Sequence, residues 1–248
     1  MNRIKKYASY LFIFLMPISI STNSIDSSKT NIDIYGDVGQ YALISYNCTS
    51  GVLHKHTVPF QEIGGGVEHK LGTHVKVGAN AEMIFDQQEN VEIVTTPGTY
   101  EEHEKYTYSN RSTLLLTTLI RTDFKYLGAG ACAFYSTHSA IKGPSKPIAF
   151  GGGFLRLGPE KFFVRASLYY DRPLFLNGFG NLGIGSRFSS RFAGWIGANI
   201  GPYDALGSLL KLAYWPKPSV RVMMIMRFGK SNNINENAVG LHVRFPLH

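Results

Sequence analysis

Every second residue is apolar in one segment after another between residues 161 and 245. The pattern is plain near the end of the chain, where Val222 and Met224 alternate with Arg221 and Arg227. A period of two predicts β-strands, because successive side chains of a strand point to opposite faces. The strands therefore have one apolar face and one face that carries arginine.

Arginine that returns to the same face of strand after strand needs water or acidic partners on that face. A transmembrane β-barrel provides this arrangement, with apolar residues toward lipid and polar residues toward the interior. The predicted fold is all-β: a transmembrane, antiparallel, up-and-down β-barrel in a single domain that covers residues 25–248. The main alternative is a soluble barrel that binds a ligand, in which the apolar face would point inward.

The charge of the chain is basic but dispersed. The formal net charge is +8 and the isoelectric point is near 9.4. The basic residues are spread one or two to a strand and form no runs, so we expect no nucleic-acid partner. No His/Cys spacing typical of a metal site is present, and we expect no cofactor.

Residues 1–24 resemble a secretory signal peptide that is removed on export. A basic start at Arg3, Lys5 and Lys6 precedes a short apolar core at 10–20, and small residues follow at possible cleavage sites. An uncleaved membrane anchor is the alternative, but Pro17 interrupts the core and the run is short for a spanning helix.

The alternation predicts about twelve strands, or ten if the second and fourth are misassigned. The connections alternate between long and short, as in outer-membrane barrels with short periplasmic turns and longer external loops. The predicted strands cover about 32–46, 58–69, 73–85, 106–121, a fifth ending near 135, 147–157, 161–171, an eighth ending near 188, 191–200, 206–214, 219–228, and a last one ending at 245.

In these features the chain resembles the outer-membrane β-barrel proteins of Gram-negative-type bacteria. The last strand, with Leu241, Val243 and Phe245 on its apolar face, is similar to the closing strand of such proteins, although Pro246, Leu247 and His248 follow the aromatic residue. The resemblance implies a location in the cell outer membrane. It also implies contacts with outer-membrane lipid and with the machinery that assembles barrels there.

The basic residues of the polar face define the candidate functional surface. A water-filled path with this basic wall would favour small anionic solutes. The alternative is a plugged interior in which the bases pair with acids such as Asp33, Asp37, Glu82 and Asp171. The predicted interior residues are Arg165, Arg187, Arg191, Lys211, Arg221, Arg227, His242, Arg244 and Glu82.

Two further segments carry predictions. Residues 86–105 are predicted to form the longest and most acidic loop, solvated, or folded back to narrow the basic interior; divalent-cation binding by its acids is a lesser alternative. Cys132 shares a strand face with Tyr126 and Phe134, and we assign that face to lipid.

The leading functional prediction is a passive pore for small solutes. A closed barrel that acts as a structural or surface-interaction protein through its external loops is the second hypothesis. A lipid-directed hydrolase is the third: Ser136, His138 and Asp171 lie at one predicted rim, but their spacing is not diagnostic. We therefore expect no enzymatic activity.

Overall fold

The computed structural model of the protein describes residues 29–46, 53–95, 102–138, 146–168, 180–200, 206–230 and 234–247. The predicted signal peptide and Asp171 lie outside these ranges. Among the described residues no helix is long and apolar enough to cross a membrane. Twelve strands are present: β1 Thr30–Tyr46, β2 Leu53–Lys70, β3 Val75–Thr95, β4 Glu102–Asp123, β5 Leu127–Ser136, β6 Ile148–Leu157, β7 Phe163–Leu168, β8 Gly180–Arg187, β9 Phe192–Ile200, β10 Leu206–Lys217, β11 Val220–Lys230 and β12 Ile234–Pro246.

The strands form one closed antiparallel barrel. Each strand pairs with its neighbours in the sequence, and β1 closes the sheet by pairing with β12. That last pairing runs in continuous register from Asn31 opposite Pro246 to Leu43 opposite Ile234. The prediction of an all-β, up-and-down barrel is confirmed, and the strand number is twelve.

The outer surface of the barrel is apolar. Leu182 is 60% exposed, and Ile184, Val239 and Leu241 are about half exposed on the same outward face of their strands. Exposing this much apolar surface to water is unfavourable, at about 25 cal/mol per Å². The surface therefore suits lipid contact. A soluble ligand-binding barrel would have its apolar residues on the inner face instead.

Glycines on the inner face make room for larger neighbours. The indole of Trp195 lies against Gly183 and Gly197, so a Cβ at either glycine would meet the ring. The carboxylate of Asp37 fills the space beside Gly240 in the same way. These glycines serve close packing inside the barrel, which is a usual role of glycine in strands.

The acidic segment 86–105 is not a long loop, and that prediction is wrong. β3 continues to Thr95 and β4 begins at Glu102, so only 96–101 connects them. Pairing of β3 with β2 ends at Phe85, and pairing of β4 with β5 ends at Leu115. Above those points, residues 86–95 and 102–111 pair in register, and we call this two-stranded segment the ribbon.

The short connections lie at the end of the barrel where β1 starts and β12 ends. They comprise 71–74, 124–126, 158–162, 188–191 and 218–219. Gly158 adopts a φ of 102° in the third of these turns, a backbone conformation that favours glycine. β4 continues two residues beyond its predicted end at 121, to Asp123.

Candidate functional site

Closure of the barrel brings arginines of the C-terminal strands against acids of the first strand. Arg244 on β12 donates from Nε and Nη2 to the two carboxylate oxygens of Asp33, at 2.7 and 2.6 Å. Arg227 on β11 donates from Nη1 to Asp37 at 2.7 Å. The two parallel hydrogen bonds between Arg244 and Asp33 are of the bidentate type, which is among the stronger charge-assisted contacts in proteins.

A second carboxylate extends the first of these pairs into a network. Glu68 on β2 accepts from Arg244 at 2.9 Å and from Arg121 on β4 at 2.8 Å. Arg221 on β11 lies 4.0 Å from Asp33, at the edge of the same network. Five strands thus meet through charged side chains inside the barrel, which is the pairing that the plugged alternative requires.

A separate buried cluster lies at the base of the ribbon. Arg111 makes two hydrogen bonds to the carboxylate of Asp86, and both side chains are almost fully buried. The hydroxyl of Tyr41 on β1 donates to Asp86 at 3.1 Å. Farther along the ribbon, burial and the nearby carboxylate of Glu89 raise the pKa of Tyr108. The ribbon is therefore anchored to the barrel wall by charge and hydrogen bonds.

The other predicted interior residues of the central strands also face inward. The guanidinium of Arg165 lies 4.4 Å from the ring centre of Phe154, and Nζ of Lys211 lies 5.3 Å from that of Trp195. These are cation–π distances. Nε2 of His242 lies 3.4 Å from Asp37.

Arg187 and Arg191 lie at the rim and not in the interior. Arg187 donates to Glu160 at 3.0 Å, and the Glu160 side chain is 72% exposed. Arg191 is exposed in the turn before β9, because that strand starts one residue later than predicted. Both side chains belong to the end of the barrel with short connections.

Several interior residues were not predicted from the sequence. Glu68, Asp86, Arg111 and Arg121 face inward; the predicted loop 86–105 excludes Asp86, whereas the other three lie in predicted strands but are not among the predicted interior residues. The extension of β3 that puts Asp86 inside, and the first half of β4 around Arg111, carry few apolar residues, so their alternation is weak. Glu68 follows the run Gly64–Gly66, where the alternation is interrupted.

One side of the interior is apolar, and the assignment of Cys132 and Phe134 to lipid is wrong. Both residues are buried inside the barrel in a cluster with Leu115, against which Leu119 and Phe150 pack. The sequence of β5, LGAGACAFYS, has small or apolar residues on both faces. Because neither face is clearly more polar than the other, the sequence does not show which face points inward.

The remaining interior space includes a cavity of about 190 Å³. It lies between the strands at the N-terminal side, β1 and β3, and the strands β8 to β12. Its wall is formed by Asp33, Tyr35, Asn80, Glu82, Asn181, Asn199, Leu209, Lys211, Arg221, Met223, Ile225, Arg227, His242 and Arg244.

The residues considered for hydrolysis or metal binding make other contacts. The hydroxyl of Ser136 donates to the backbone carbonyl of His138 at 2.7 Å. Nδ1 of the His138 ring lies 3.0 Å from the hydroxyl of Thr137. Within the described ranges, no group of three or more His, Cys, Asp or Glu side chains could hold a metal ion.

No family model matches the sequence, and no curated protein matches it. Among solved structures, the translocator domain of the autotransporter NalP from Neisseria meningitidis is similar at 11% identity, 98% coverage of this chain and 97% of that one, with a TM-score of 0.49. Outer membrane phospholipase A from Escherichia coli is similar at 14% identity, 88% and 96% coverage, and a TM-score of 0.43. The deltaS2 mutant of the monoaromatic hydrocarbon channel TodX is similar at 7% identity, 89% and 90% coverage, and a TM-score of 0.46. These values are too low to carry an activity from any of these proteins to this chain.

Proposed function

We propose that the protein is a closed outer-membrane β-barrel that acts through the structure it presents above the membrane. The observation that carries this proposal is the filled interior. Among the residues whose burial the structure describes, eleven of the twelve strands contribute a buried inward-facing side chain, from Asp37 on β1 to Ala238 on β12. A general diffusion pore needs a continuous water-filled path, and side chains occupy much of that space here.

The pairing of charges supports the same proposal. Asp33, Asp37, Glu68 and Asp86 each meet an arginine within hydrogen-bond distance. Buried pairs of this kind hold side chains in fixed positions, because breaking one leaves an uncompensated charge in a dry environment. The arginines therefore serve to close the interior, and the ribbon is the largest structure above the barrel among the described residues, which makes it the surface that we propose contacts a partner.

Conductance in planar bilayers tests whether the barrel is closed. Heat-modifiable migration first shows that the protein is folded, and the folded protein is then inserted into the planar bilayer. We expect no steady single-channel current from the natural sequence. The double substitution Arg227→Ala with Phe60→Ala removes two neighbouring interior side chains, whose guanidinium and ring lie 6.0 Å apart. We expect it to produce measurable current, whereas Lys217→Ala at the exposed end of β10 should not. A steady current from the natural sequence would contradict the closed barrel.

Surface labelling tests where the ribbon lies. An epitope inserted after Gly98, between the two strands of the ribbon, should bind antibody on intact cells. The same epitope inserted in the turn 71–74 should bind only after the outer membrane is permeabilised. The opposite result would mean that the barrel is inserted the other way or lies elsewhere in the cell.

A passive pore with a basic wall is the second candidate function. The observation in its favour is the cavity, whose wall carries Lys211, Arg221, Arg227 and Arg244. A steady current from the natural sequence that is selective for anions in a salt gradient would support this candidate. Arg221→Gln should then lower the anion selectivity.

A further inference from the structure

The end of the barrel with the short connections carries exposed positive charge on every side. Each of the five short connections contains or adjoins an exposed basic residue. These residues, which we call the basic ring, are Lys70, Lys125, Lys161, Arg191 and Lys217. Because the connections follow one another around the closed barrel, the five charges are spaced around its circumference.

The acids beside the basic ring are engaged by other basic residues. In and next to the five connections, all of which the structure describes, the acids are Asp123 and Glu160. Asp123 lies within 4.0 Å of Arg121 and Arg156. Glu160 accepts a hydrogen bond from Arg187 at 3.0 Å. These three arginines lie outside the basic ring, so the positive charge of the ring is left for a partner outside the barrel.

The opposite end of the barrel carries the reverse charge. Its largest described structure is the ribbon, in which five acidic residues outnumber two basic ones. The acidic residues are Asp86, Glu89, Glu92, Glu102 and Glu104, and the basic ones are Lys105 and Arg111. An anionic surface therefore attracts the end with the short connections and repels the ribbon.

Exposed aromatic side chains accompany the basic ring. Phe162 directly follows Lys161 and is 59% exposed, and Phe192 on β9 is 52% exposed. Tyr126 directly follows Lys125, whose Nζ lies 5.0 Å from the centre of the tyrosine ring. Aromatic residues form girdles where the outer wall of a barrel meets the lipid headgroups. The basic ring therefore lies at the depth of the headgroups.

From these features we propose that the basic ring binds the phosphate groups of anionic phospholipids in the leaflet on its side of the membrane. Lysine and arginine at a membrane surface are attracted to anionic lipids over about one Debye length, roughly 10 Å at 0.1 M salt. The ring is continuous with the apolar wall, so a lipid contacts both surfaces, whereas a soluble anion would contact the charges alone. The inference goes beyond the proposed function and does not depend on whether the barrel conducts.

Electron paramagnetic resonance of spin-labelled lipids measures the selectivity for anionic phospholipid. The folded protein is reconstituted in phosphatidylcholine vesicles that contain a trace of spin-labelled phosphatidylglycerol or spin-labelled phosphatidylcholine. The immobilised fraction of each label gives the relative association constant of the two lipids. We expect phosphatidylglycerol to associate at least about threefold more strongly at low salt, because each base near the surface attracts the anionic headgroup. The selectivity should fall in about 1 M sodium chloride, where the Debye length is only about 3 Å.

Substitutions test whether the basic ring causes the selectivity. Lys161→Gln with Arg191→Gln removes two charges of the ring and should lower the preference for phosphatidylglycerol. Lys161→Arg with Arg191→Lys changes the same two positions but keeps their charge, so this matched control should select lipid like the parent. Lys105→Gln removes an exposed positive charge from the ribbon and should also leave the selectivity unchanged. Each variant is first checked for heat-modifiable migration.

Three results would overturn the proposal. They are equal association of the two lipids with the parent protein, unchanged selectivity when the two charges are removed, and an equal loss in the variant that keeps them. A loss of selectivity in sodium phosphate beyond that in sodium chloride of the same ionic strength would also overturn it, because free phosphate would then occupy the basic ring as well as lipid does. Lipid selectivity in a barrel that carries no current would leave the closed-barrel proposal intact.

Discussion

Asp37 and Arg227 form a deeply buried ion pair. Their side chains are 2% and 4% exposed, and they come from strands at opposite ends of the chain. Alternation in the sequence correctly predicts that both residues face inward, because β1 and β11 have one clearly apolar face. It cannot predict that they meet, since their separation of 190 residues closes only when β1 pairs with β12.

Arg227→Met should destabilise the barrel by about 3–5 kcal/mol, because it leaves a buried carboxylate without its arginine. The double variant Arg227→Met with Asp37→Asn should recover part of that loss, since the uncompensated charge is then also removed. The measurement is the free energy of unfolding in urea, with the protein in phospholipid vesicles. Arg187→Met at the exposed rim is the control and should cost less than about 1 kcal/mol. Equal effects at the two positions would contradict the account.

Gly240→Ala should destabilise the protein by about 1–3 kcal/mol, the usual effect of forcing an extra group into a packed interior. The added Cβ would run into the carboxylate of Asp37, whereas a Cβ at Gly72 would meet nothing within 4 Å. Gly72→Ala is therefore the matched control, with little change expected. Unfolding in urea measures both variants, and an unaffected Gly240→Ala would show that Asp37 is not held where the structure places it.

At the scale of the elements, the wrong predictions concern strands whose two faces are alike, either both polar or both apolar. The ribbon was predicted as a loop because Asp86–Asn90 is polar on both faces. β5 was assigned the wrong inner face because it is small or apolar on both faces. In β7, β11 and β12, one face carries arginine, and both the strand and its inner face were predicted correctly. Contrast between the two faces, more than hydrophobicity itself, makes a barrel strand predictable.

The upper ribbon should be dispensable for folding of the barrel. Joining Asn90 to Thr107, which are opposite each other in the register, through an Asn-Gly hairpin turn removes residues 91–106. The cluster of Asp86, Arg111 and Tyr41 remains. We expect the free energy of unfolding to change by less than about 1 kcal/mol, because distant sites act independently. A variant that no longer assembles would show that the ribbon is part of the folding unit.

At the scale of the whole molecule, closure determines the chemistry of the interior. The acids lie mostly on β1 to β3, and most of the arginines that meet them lie on β4, β11 and β12. Because β12 is adjacent to β1, the two charge groups become neighbours around the ring. The sequence predicts the barrel, the strand number and the polarity of its faces. The pairing of charges and the cavity follow only from the three-dimensional closure.

The central claim is that the barrel has an apolar face toward lipid and a filled, charged interior. A scan of single spin labels along β11, in a Cys48→Ala and Cys132→Ala background reconstituted in vesicles, tests it most directly. Accessibility to oxygen, which concentrates in lipid, should peak at Val222, Met224 and Met226 and fall at Met223 and Ile225. Accessibility to a water-soluble nickel complex should stay low at all five positions. Oxygen peaks at the inward positions, or high nickel accessibility there, would contradict the account.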